Sequence, residues 1–182
     1  MKEELLERLF FHHPTDFDEQ EDLIKVINFV KENDISSNPD IHVTASAFVF
    51  NADKTKVLLV KHKKTGLWQQ LGGHIEKSDV LLIDAALREA REESGKEDIE
   101  VFNDGKIFNV VIYTMKKDVV HTHLDIWFVF TVKTEEFNPF EGQQLKWFDQ
   151  KEFGELNKKQ KDKGLMRAVK KWKYLLKKGS II

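Results

Sequence analysis

The chain has no cysteine among its 182 residues. Disulfide bonds, thiolate metal ligands and a cysteine nucleophile are therefore excluded. Long hydrophobic runs are absent as well, since none approaches the roughly 18 residues that span a membrane. The first residues, MKEELLERLF, are acidic and amphipathic and lack the apolar core of a signal peptide. We therefore expect a cytoplasmic protein without a membrane partner.

An excess of one charge is also lacking over the whole chain, but the two ends differ. The formal net charge is −2, which gives no indication of a polyanionic partner such as nucleic acid. Residues 1–40 hold four Lys or Arg and eleven Asp or Glu, whereas residues 151–182 hold eleven and three. We predict that these two ends attract each other, either within one chain or across a homodimer.

The hydrophobic pattern divides the chain into three predicted segments. Residues 1–40 carry apolar side chains at helical spacing and are predicted to be an N-terminal helical extension. Residues 41–157 are predicted to be the main domain, where the apolar period changes to two. Residues 158–182 are predicted to be a basic helix that packs its apolar stripe on the same domain. Membrane-surface or nucleic-acid binding by this helix is the weaker alternative, because lysine-rich faces are commonly just solvated.

The main domain reads as strands around one central helix. Strands are predicted at residues 41–50, 57–60, 99–102, 106–115, 119–133 and 145–148. With further helices at both ends of the chain, this pattern indicates an α+β fold or a three-layer α/β/α sandwich on mixed strands.

The central helix is predicted in the stretch 72–96, which reads GGHIEKSDVLLIDAALREAREESGK. The two glycines at its start permit tight backbone geometry in a loop before the helix. Ser78 or Asp79 is suited to cap the first free N–H groups. Residues 81–94 contain good helix formers without glycine or proline, and Gly95 suits the left-handed residue that ends a helix.

Three glutamates crowd one face of this helix. Glu89 lies three residues before Glu92 and four before Glu93, so like charges meet and destabilise the isolated helix. A hard divalent cation such as Mg²⁺ would turn this repulsion into ligation, because it prefers carboxylate oxygens. Arg88, four residues before Glu92, is suited to hold one carboxylate by a bidentate bond. The alternative is an ordinary solvated face rich in glutamate.

Taken together, the stretch resembles the Nudix box, G-x5-E-x7-R-E-U-x-E-E-x-G-U, in which U is apolar. The matching residues are Gly73, Arg88, Glu89, Ala90, Glu92, Glu93 and Gly95. Asp79 stands for the first glutamate, eight residues rather than seven separate it from Arg88, and Lys96 occupies the last apolar position. These departures bear mainly on loop geometry and substrate, because the metal-binding half of the box is intact.

The resemblance extends over about residues 40–150 and is similar to a bacterial-type group with a one-residue longer box. The further shared features are a strand at 42–47, the approach Trp68-x-Gln70-Leu71-Gly72-Gly73-His74 and the strand His121-x-His123-x-Asp125. The resemblance implies an α/β (α+β) fold, namely a Nudix-type α/β/α sandwich with a mixed sheet, extra N-terminal helices and a C-terminal helix.

The resemblance also implies a reaction. It is Mg²⁺-dependent hydrolysis of the pyrophosphate linkage in a nucleoside diphosphate derivative, with Mn²⁺ as a substitute ion. The implied metal ligands are the Gly72 carbonyl, Glu89, Glu92 and Glu93. Arg88 would orient a glutamate. The general base is either Glu92 or Glu93 through a metal-bound water, or Glu141 in a later loop, for which a plain surface role is equally open.

Five further side chains are candidates for contact with the substrate: Lys61, His62, Trp68, His74 and His123. Lys61 and His62 precede the two glycines, so this basic pair suits contact with phosphate. The alternative is that the pair belongs to a solvated loop. Trp68 or Phe48 would stack on a base, or be plain core. The histidines would line a cleft, although buried structural hydrogen bonding is the preferred role for His121 and Asp125.

Two other functions compete with hydrolysis. A non-catalytic Nudix-fold module that binds a nucleotide or a protein stays open because of Asp79 and Lys96, although none of the three glutamates is lost. The isopentenyl-diphosphate isomerase branch is discounted, because its chemistry is associated with a cysteine and this chain has none.

Overall fold

A computed structural model describes residues 1–63, 65–115, 121–139 and 143–178 of the protein. The helices are α1 (Lys2–Phe11), α2 (Phe17–Glu32), α3 (Leu82–Ser94), α4 (Gln150–Glu155) and α5 (Lys163–Lys178). The strands are β1 (Ile41–Phe50), β2 (Lys56–Lys61), β3 (Trp68–Gln69), β4 (Leu71–His74), β5 (Ile99–Val101), β6 (Ile107–Met115), β7 (His121–Val132) and β8 (Gln144–Asp149).

The strands form one mixed sheet built around β1. β1 runs parallel to β7 and antiparallel to β2 and β4. β7 also pairs with β5 and β6, and β2 also pairs with β3 and β8, all in antiparallel orientation. Strands distant in sequence therefore meet at β1, and this pairing fixes which side chains are neighbours on each face.

Helices cover both faces of the sheet, which confirms the predicted α/β/α sandwich. On one face, α1, α2 and α3 share a core with Val43, Ala45 and Val49. On the other face, α4 and α5 share a core with Phe48 and Phe50. Successive strand residues point to opposite faces, so β1 is buried on both sides, and its second half, residues 47–50, is a continuous apolar run.

The C-terminal helix begins at Lys163 rather than at residue 158, because residues 158–160 form a separate 3₁₀ turn. Leu165, Val169 and Trp172 of α5 are buried in the core against the sheet. These residues of the apolar stripe are thus used for packing, whereas Leu176 at its end is exposed. Of the helices in the described part of the chain, none is long and apolar enough to cross a membrane.

The prediction of a loop at the two glycines is wrong. Gly72 and Gly73 lie inside β4, opposite Ser46 and Ala45 of β1. β3 and the short helix α4 were not predicted either. The sequence did not reveal β3 and β4 because they are short and lack a clear apolar alternation, and their pairing is imposed by neighbouring strands.

The two oppositely charged ends contact each other within the chain. Lys171 of α5 donates to the Glu19 carboxylate and to the Phe108 carbonyl, and Arg167 of α5 pairs with Asp16. Glu19 is fully buried and also accepts hydrogen bonds from the backbone and hydroxyl of Thr15. The acidic and basic ends thus attract each other inside one protomer, while the division into three segments stays a prediction.

Replacing Glu19 by glutamine should remove part of the acid sensitivity of folding. Burial alone would raise the pKa of Glu19, but bonds and charge from His12, Lys171 and Thr15 outweigh burial and lower it to about 2. A lowered folded-state pKa gives stability that is complete above the unfolded value of 4.5 and is lost as the pH falls toward 2. That contribution is on the order of 3 kcal/mol at neutral pH.

The measurement is the unfolding free energy from urea denaturation at several pH values between neutral and 2. Glu19→Gln should be less stable at neutral pH and show a flatter acid limb than the parent. Glu21→Gln, which changes an exposed glutamate of the same helix, should match the parent. Parallel acid limbs for all three proteins would refute this account of the buried pair.

Candidate active site

Helix α3 carries the glutamates and is anchored to the core by its other face. Leu82, Ala86 and Ala90 are buried, which fixes the rotation of the helix about its axis. The predicted cap by Ser78 or Asp79 is wrong, because the helix begins at Leu82 and the Asp84 carboxylate accepts from the Leu81 N–H instead. Asp79 is thereby available for another partner.

Gly95 ends α3 in the left-handed conformation, as predicted, with a φ of 64°. Its N–H donates to the Arg91 carbonyl at 2.8 Å. A Cβ at this position would lie 1.9 Å from the Asn138 carbonyl oxygen, so the close approach of the chain after β7 also requires glycine. Asn138 in turn donates its N–H to the Ser94 carbonyl at 3.0 Å.

Lys96 fills the position where the Nudix box has an apolar residue. It is buried, and its ammonium donates to the Thr134 carbonyl at 2.9 Å and pairs with Asp98 at 2.9 Å. The aliphatic part of the Lys96 side chain is therefore buried like an apolar residue, while its ammonium group is bound by Thr134, which follows β7, and by Asp98. Lys96, which departs from the box pattern, thus has a structural role.

The glutamates of α3 lie directly against the glycine pair of β4. Glu93 accepts a hydrogen bond from the Gly72 N–H at 3.0 Å. A Cβ on Gly73 would lie 2.5 Å from Oε1 of Glu89, so this carboxylate occupies the space that a side chain at Gly73 would need. The second oxygen of Glu93 accepts from Nε2 of Gln143 at 3.1 Å. Gln143 was not predicted, and no signal in the sequence distinguished it from the polar residues around it.

Two of these carboxylates, those of Glu89 and Glu93, have raised pKa values, mainly because they are buried. Burial raises the pKa of Glu93 to about 7, and the charges of Glu89 and Glu92 add to the shift. The pKa of Glu89 is also raised, again mainly by burial. Carboxylate and backbone oxygens are the ligands of a hard divalent cation, so Glu89, Glu92, Glu93 and the Gly72 carbonyl are donors of the right chemical type for such an ion.

Arg88 links the helix to the preceding loop. It donates two hydrogen bonds to Asp79, at 3.0 and 3.2 Å, and one to Glu89 at 3.1 Å. It also donates to the His74 carbonyl at 2.8 Å and lies 3.4 Å from Glu92. Although burial opposes ionisation of Asp79, the bonds from Arg88 prevail and its pKa is lowered. The bidentate partner is thus Asp79, at the position of the first box glutamate.

Replacing Arg88 by glutamine should reduce turnover without removing any metal ligand. Loss of a residue that orients ligands typically costs about 10- to 100-fold in metal affinity or activity. We expect a fall of that size in kcat, measured over a titration of Mg²⁺ with substrate at saturation. Arg91→Gln, a matched change three residues along the same helix, should retain the parent kcat. Equal activity of both variants would contradict the orienting role.

The other site residues predicted from the sequence are Glu141, Lys61, His62, Trp68, His74 and His123. Glu141 lies outside the described residues, so its role as a base stays a prediction. Lys61 ends β2, where its ammonium is 6.0 Å from the ring of Trp68 on β3. Trp68 packs edge-on against Phe148 at 4.9 Å. His62 follows β2 and accepts from the Thr65 N–H at 3.3 Å. Substrate contact by these residues stays a prediction.

His74 and His123 are brought together with His42. Their ring centroids are 5.1 Å apart, and each lies within 5.0 Å of the His42 ring. Burial lowers the pKa of His74, and it lowers the pKa of His123 to about 4, with the neighbouring histidines adding to both shifts.

Asp125 has the structural role that was preferred for it. It is buried and accepts from Thr44 and Ser46 at 2.9 Å and from the indole of Trp127 at 2.7 Å. Gln70 reaches the same carboxylate at 3.2 Å. Burial nevertheless raises its pKa to about 6. The network ties β1 and β7 to the residues that lead into β4.

The fold and the carboxylate-bearing helix define the class of the protein as a Nudix-type α/β/α sandwich. A family model described as NUDIX domain matches residues 40–169, and the chain belongs to that family. With its box glutamates retained, it is a hydrolase of the pyrophosphohydrolase type.

Similar proteins agree with this assignment. A probable DHNTP pyrophosphohydrolase of Lactococcus lactis subsp. cremoris is 28% identical over 123 residues, covering 64% of this chain and 72% of that protein. A NUDIX-family hydrolase from Clostridium perfringens is 25% identical, with a TM-score of 0.56 over 74% of this chain and 97% of that one. An Ap4A hydrolase from C. elegans, at 16% identity, has a TM-score of 0.59 over 75% of this chain and 98% of its own, and shows the shared fold.

Proposed function

We propose that the protein is a Mg²⁺-dependent hydrolase that cleaves the pyrophosphate linkage of a nucleoside diphosphate derivative. The observation that carries the proposal is the placement of Glu89 and Glu93 against the glycine pair of β4. Family membership supports the reaction class. The proposed ligand atoms are all oxygens, which supports Mg²⁺ over softer ions. The charge of the substrate gives the ion a second function, since pyrophosphate oxygens are themselves Mg²⁺ ligands.

The side chains have separate functions in this proposal. Glu89, Glu92, Glu93 and the Gly72 carbonyl would hold the ion, which when bound supplies Lewis-acid stabilisation of the phosphate oxygens. Gln143 and the Gly72 N–H each hold one oxygen of Glu93 and so limit its rotation. Arg88, itself held by Asp79, keeps Glu89 in place. The geometry is thus preorganised by neutral and cationic donors that do not need to touch the substrate.

The attacking water must lose a proton to a carboxylate. Glu92 and Glu93 are candidates because they belong to the cluster, and Glu92 is exposed to solvent. Glu141 is the other candidate, supported by its position two residues before Gln143, which contacts Glu93. A change of Glu141 to glutamine that abolished turnover but left Mg²⁺ affinity unchanged would favour Glu141 as the base.

The substrate is best sought among organic diphosphates and triphosphates. The resemblance favours a nucleoside diphosphate derivative, in which the second group is a sugar, a nucleotide, a phosphate or a cofactor. The DHNTP pyrophosphohydrolase of L. lactis adds dihydroneopterin triphosphate to the compounds worth testing. The basic residue Lys61 and the ring of Trp68 are the proposed contacts for phosphate and base.

The test is a panel of these compounds incubated with the purified full chain and Mg²⁺, with products identified by mass spectrometry. We expect at least one compound to be cleaved between two phosphorus atoms, and Glu89→Gln to abolish that cleavage. A parent protein that cleaves no compound yet binds a nucleotide without Mg²⁺ would overturn the proposal in favour of a binding module.

A further inference from the structure

A second cluster of potential ligands lies apart from the carboxylates, and it consists of His42, His74 and His123. The ring centroids form a nearly equilateral triangle with sides of 5.0, 4.9 and 5.1 Å. One nitrogen from each ring lies within 4.8 Å of the other two. These three side chains thus meet the geometric requirement for binding a metal ion.

Strand pairing sets the position of the three rings. His42 of β1 is the parallel register partner of His123 of β7, and His74 of β4 is paired with Thr44, two residues further along β1. Along β1, His42 and Thr44 alternate with Val43 and Ala45. The side chains of Val43 and Ala45 share a core with α3. Because side chains alternate along a strand, the histidines lie on the face of the sheet opposite α3 and its glutamates.

The tautomer of His42 is fixed by its environment. Nδ1 of His42 lies 3.0 Å from the Asn38 carbonyl oxygen, which accepts only, so Nδ1 carries the proton and Nε2 has a free lone pair. His42 is only 9% exposed, and its Nε2 is buried without a hydrogen-bond partner. A ring that donates one N–H to a backbone carbonyl and turns the other nitrogen inward has the usual arrangement of a metal-ligating histidine.

His123 shares the second part of this arrangement. Its Nε2 is also buried without a hydrogen-bond partner. Buried polar atoms are nearly always paired in native proteins, and leaving one unpaired is unfavourable. Two such nitrogens in one cluster are suited to bind a single ion that accepts an electron pair from each.

We propose that His42, His74 and His123 form a binding site for a divalent transition metal ion, with Zn²⁺ as the expected ion. Imidazole suits Zn²⁺, whereas Mg²⁺ prefers oxygen ligands, so the two sites select different ions. An N–Zn distance of about 2.0–2.1 Å in a tetrahedral site places ligand nitrogens about 3.4 Å apart. The three side chains therefore close on the ion by small rotations, and exposed His74 leaves the fourth position open to solvent or a ligand.

The bound ion would act on the hydrolase centre through His74. The His74 carbonyl accepts from Arg88 at 2.8 Å, while its ring belongs to the histidine cluster. An ion on the ring would thus fix the end of β4 and the backbone oxygen that helps to hold Arg88. The inference stands independently of the proposed substrate and of Mg²⁺, because it uses none of the carboxylates.

The test is a Zn²⁺ titration of the full chain after removal of metals with a chelator, in the presence of excess Mg²⁺ to occupy the carboxylates. Competition with a chromophoric chelator gives affinity and stoichiometry, and Co²⁺ substitution gives a visible spectrum that reports nitrogen coordination. The variants are His74→Gln and His123→Gln, with His13→Gln as the control, since His13 is an exposed histidine outside the cluster. Thermal melts without metal show that each variant folds.

The parent, His13→Gln and Glu93→Gln should each bind one equivalent of Zn²⁺ with similar affinity. His74→Gln and His123→Gln should bind at least about 100-fold more weakly and lose the tetrahedral Co²⁺ spectrum, because each lacks one of three protein ligands. Zn²⁺ binding that persists at parent affinity in both histidine variants, or that is lost in Glu93→Gln instead, would overturn the proposal. The absence of Zn²⁺ binding by the folded parent would overturn it as well.

Discussion

Replacing Glu93 by glutamine should lower kcat by about a thousandfold, which corresponds to about 4 kcal/mol of lost transition-state stabilisation. Glutamine has nearly the same size but no charge for a divalent ion. It also keeps only one acceptor oxygen, whereas Glu93 accepts from both Gly72 and Gln143. Affinity for Mg²⁺ should fall together with kcat, because one residue supports both.

The same substitution should stabilise the metal-free fold at alkaline pH. The pKa of Glu93 is raised from 4.5 to about 7, chiefly by burial, so the folded protein binds a proton that the unfolded chain has already released. Stability contributed by this group is complete below pH 4.5 and is lost as the pH rises to about 7. Glu93→Gln removes that loss.

The measurements are kcat over a Mg²⁺ titration and the chelator-treated melting temperature at acidic and alkaline pH. Glu97→Gln makes the same change at an exposed position just after the helix and should leave both unchanged. Parent turnover in Glu93→Gln, on a substrate that the parent clearly hydrolyses, would mean that the carboxylate cluster is not the metal site.

Replacing Gly72 by alanine should destabilise the protein by about 4 kcal/mol and abolish activity even where the fold survives. The added Cβ would lie 2.6 Å from the Ala45 carbonyl and 2.7 Å from Cα of Ser46, and both are atoms of β1 backbone that cannot rotate away. The φ of Gly72, 153°, is itself rarely adopted by residues with a side chain. Relief of the clash would move the Gly72 N–H and carbonyl away from Glu93 and the proposed ion.

Gly154→Ala is the matched control for this prediction. Gly154 lies in α4, and a Cβ there would meet no atom within 4 Å. Alanine in a helix is favoured over glycine, so this variant should be as stable as the parent or slightly more stable. Urea denaturation and turnover of both variants decide the matter, and equal stability of Gly72→Ala and the parent would show that β4 is free to shift.

The parts of the fold that the sequence predicted are those with strong periodicity. β1 and β7 are long and mostly buried, and each contains a continuous apolar stretch, while α3 has a helical pattern that ends at Gly95. β3 and β4 contain glutamine and glycine, and they are strands only because β2 and β1 supply hydrogen-bond partners. Local sequence does not contain that information, since the partner strands lie elsewhere in the chain.

The candidate site was likewise predicted in part. The spacing of the helix glutamates placed Glu89 and Glu93 on one face, and both lie against β4. The sequence predicted that Arg88 would hold a glutamate of the box, and it offered Asp79 as a helix cap. In the structure, Arg88 donates its two parallel bonds to Asp79. Gln143 reaches Glu93 across fifty residues of sequence, which no spacing rule predicts. The cluster at His42 was missed for the same reason, because register between β1 and β7 brings its rings together.

The most direct test of the account is the metal dependence of the parent enzyme on a substrate found with the panel. After exhaustive dialysis against EDTA, hydrolysis should fall to the background rate, because Glu89, Glu92 and Glu93 would then lack the ion that stabilises the phosphate charge. Addition of Mg²⁺ alone should restore the full rate, and Mn²⁺ should substitute for it. Undiminished hydrolysis by the chelated protein would contradict the claim that the glutamates of α3 form a catalytic metal site.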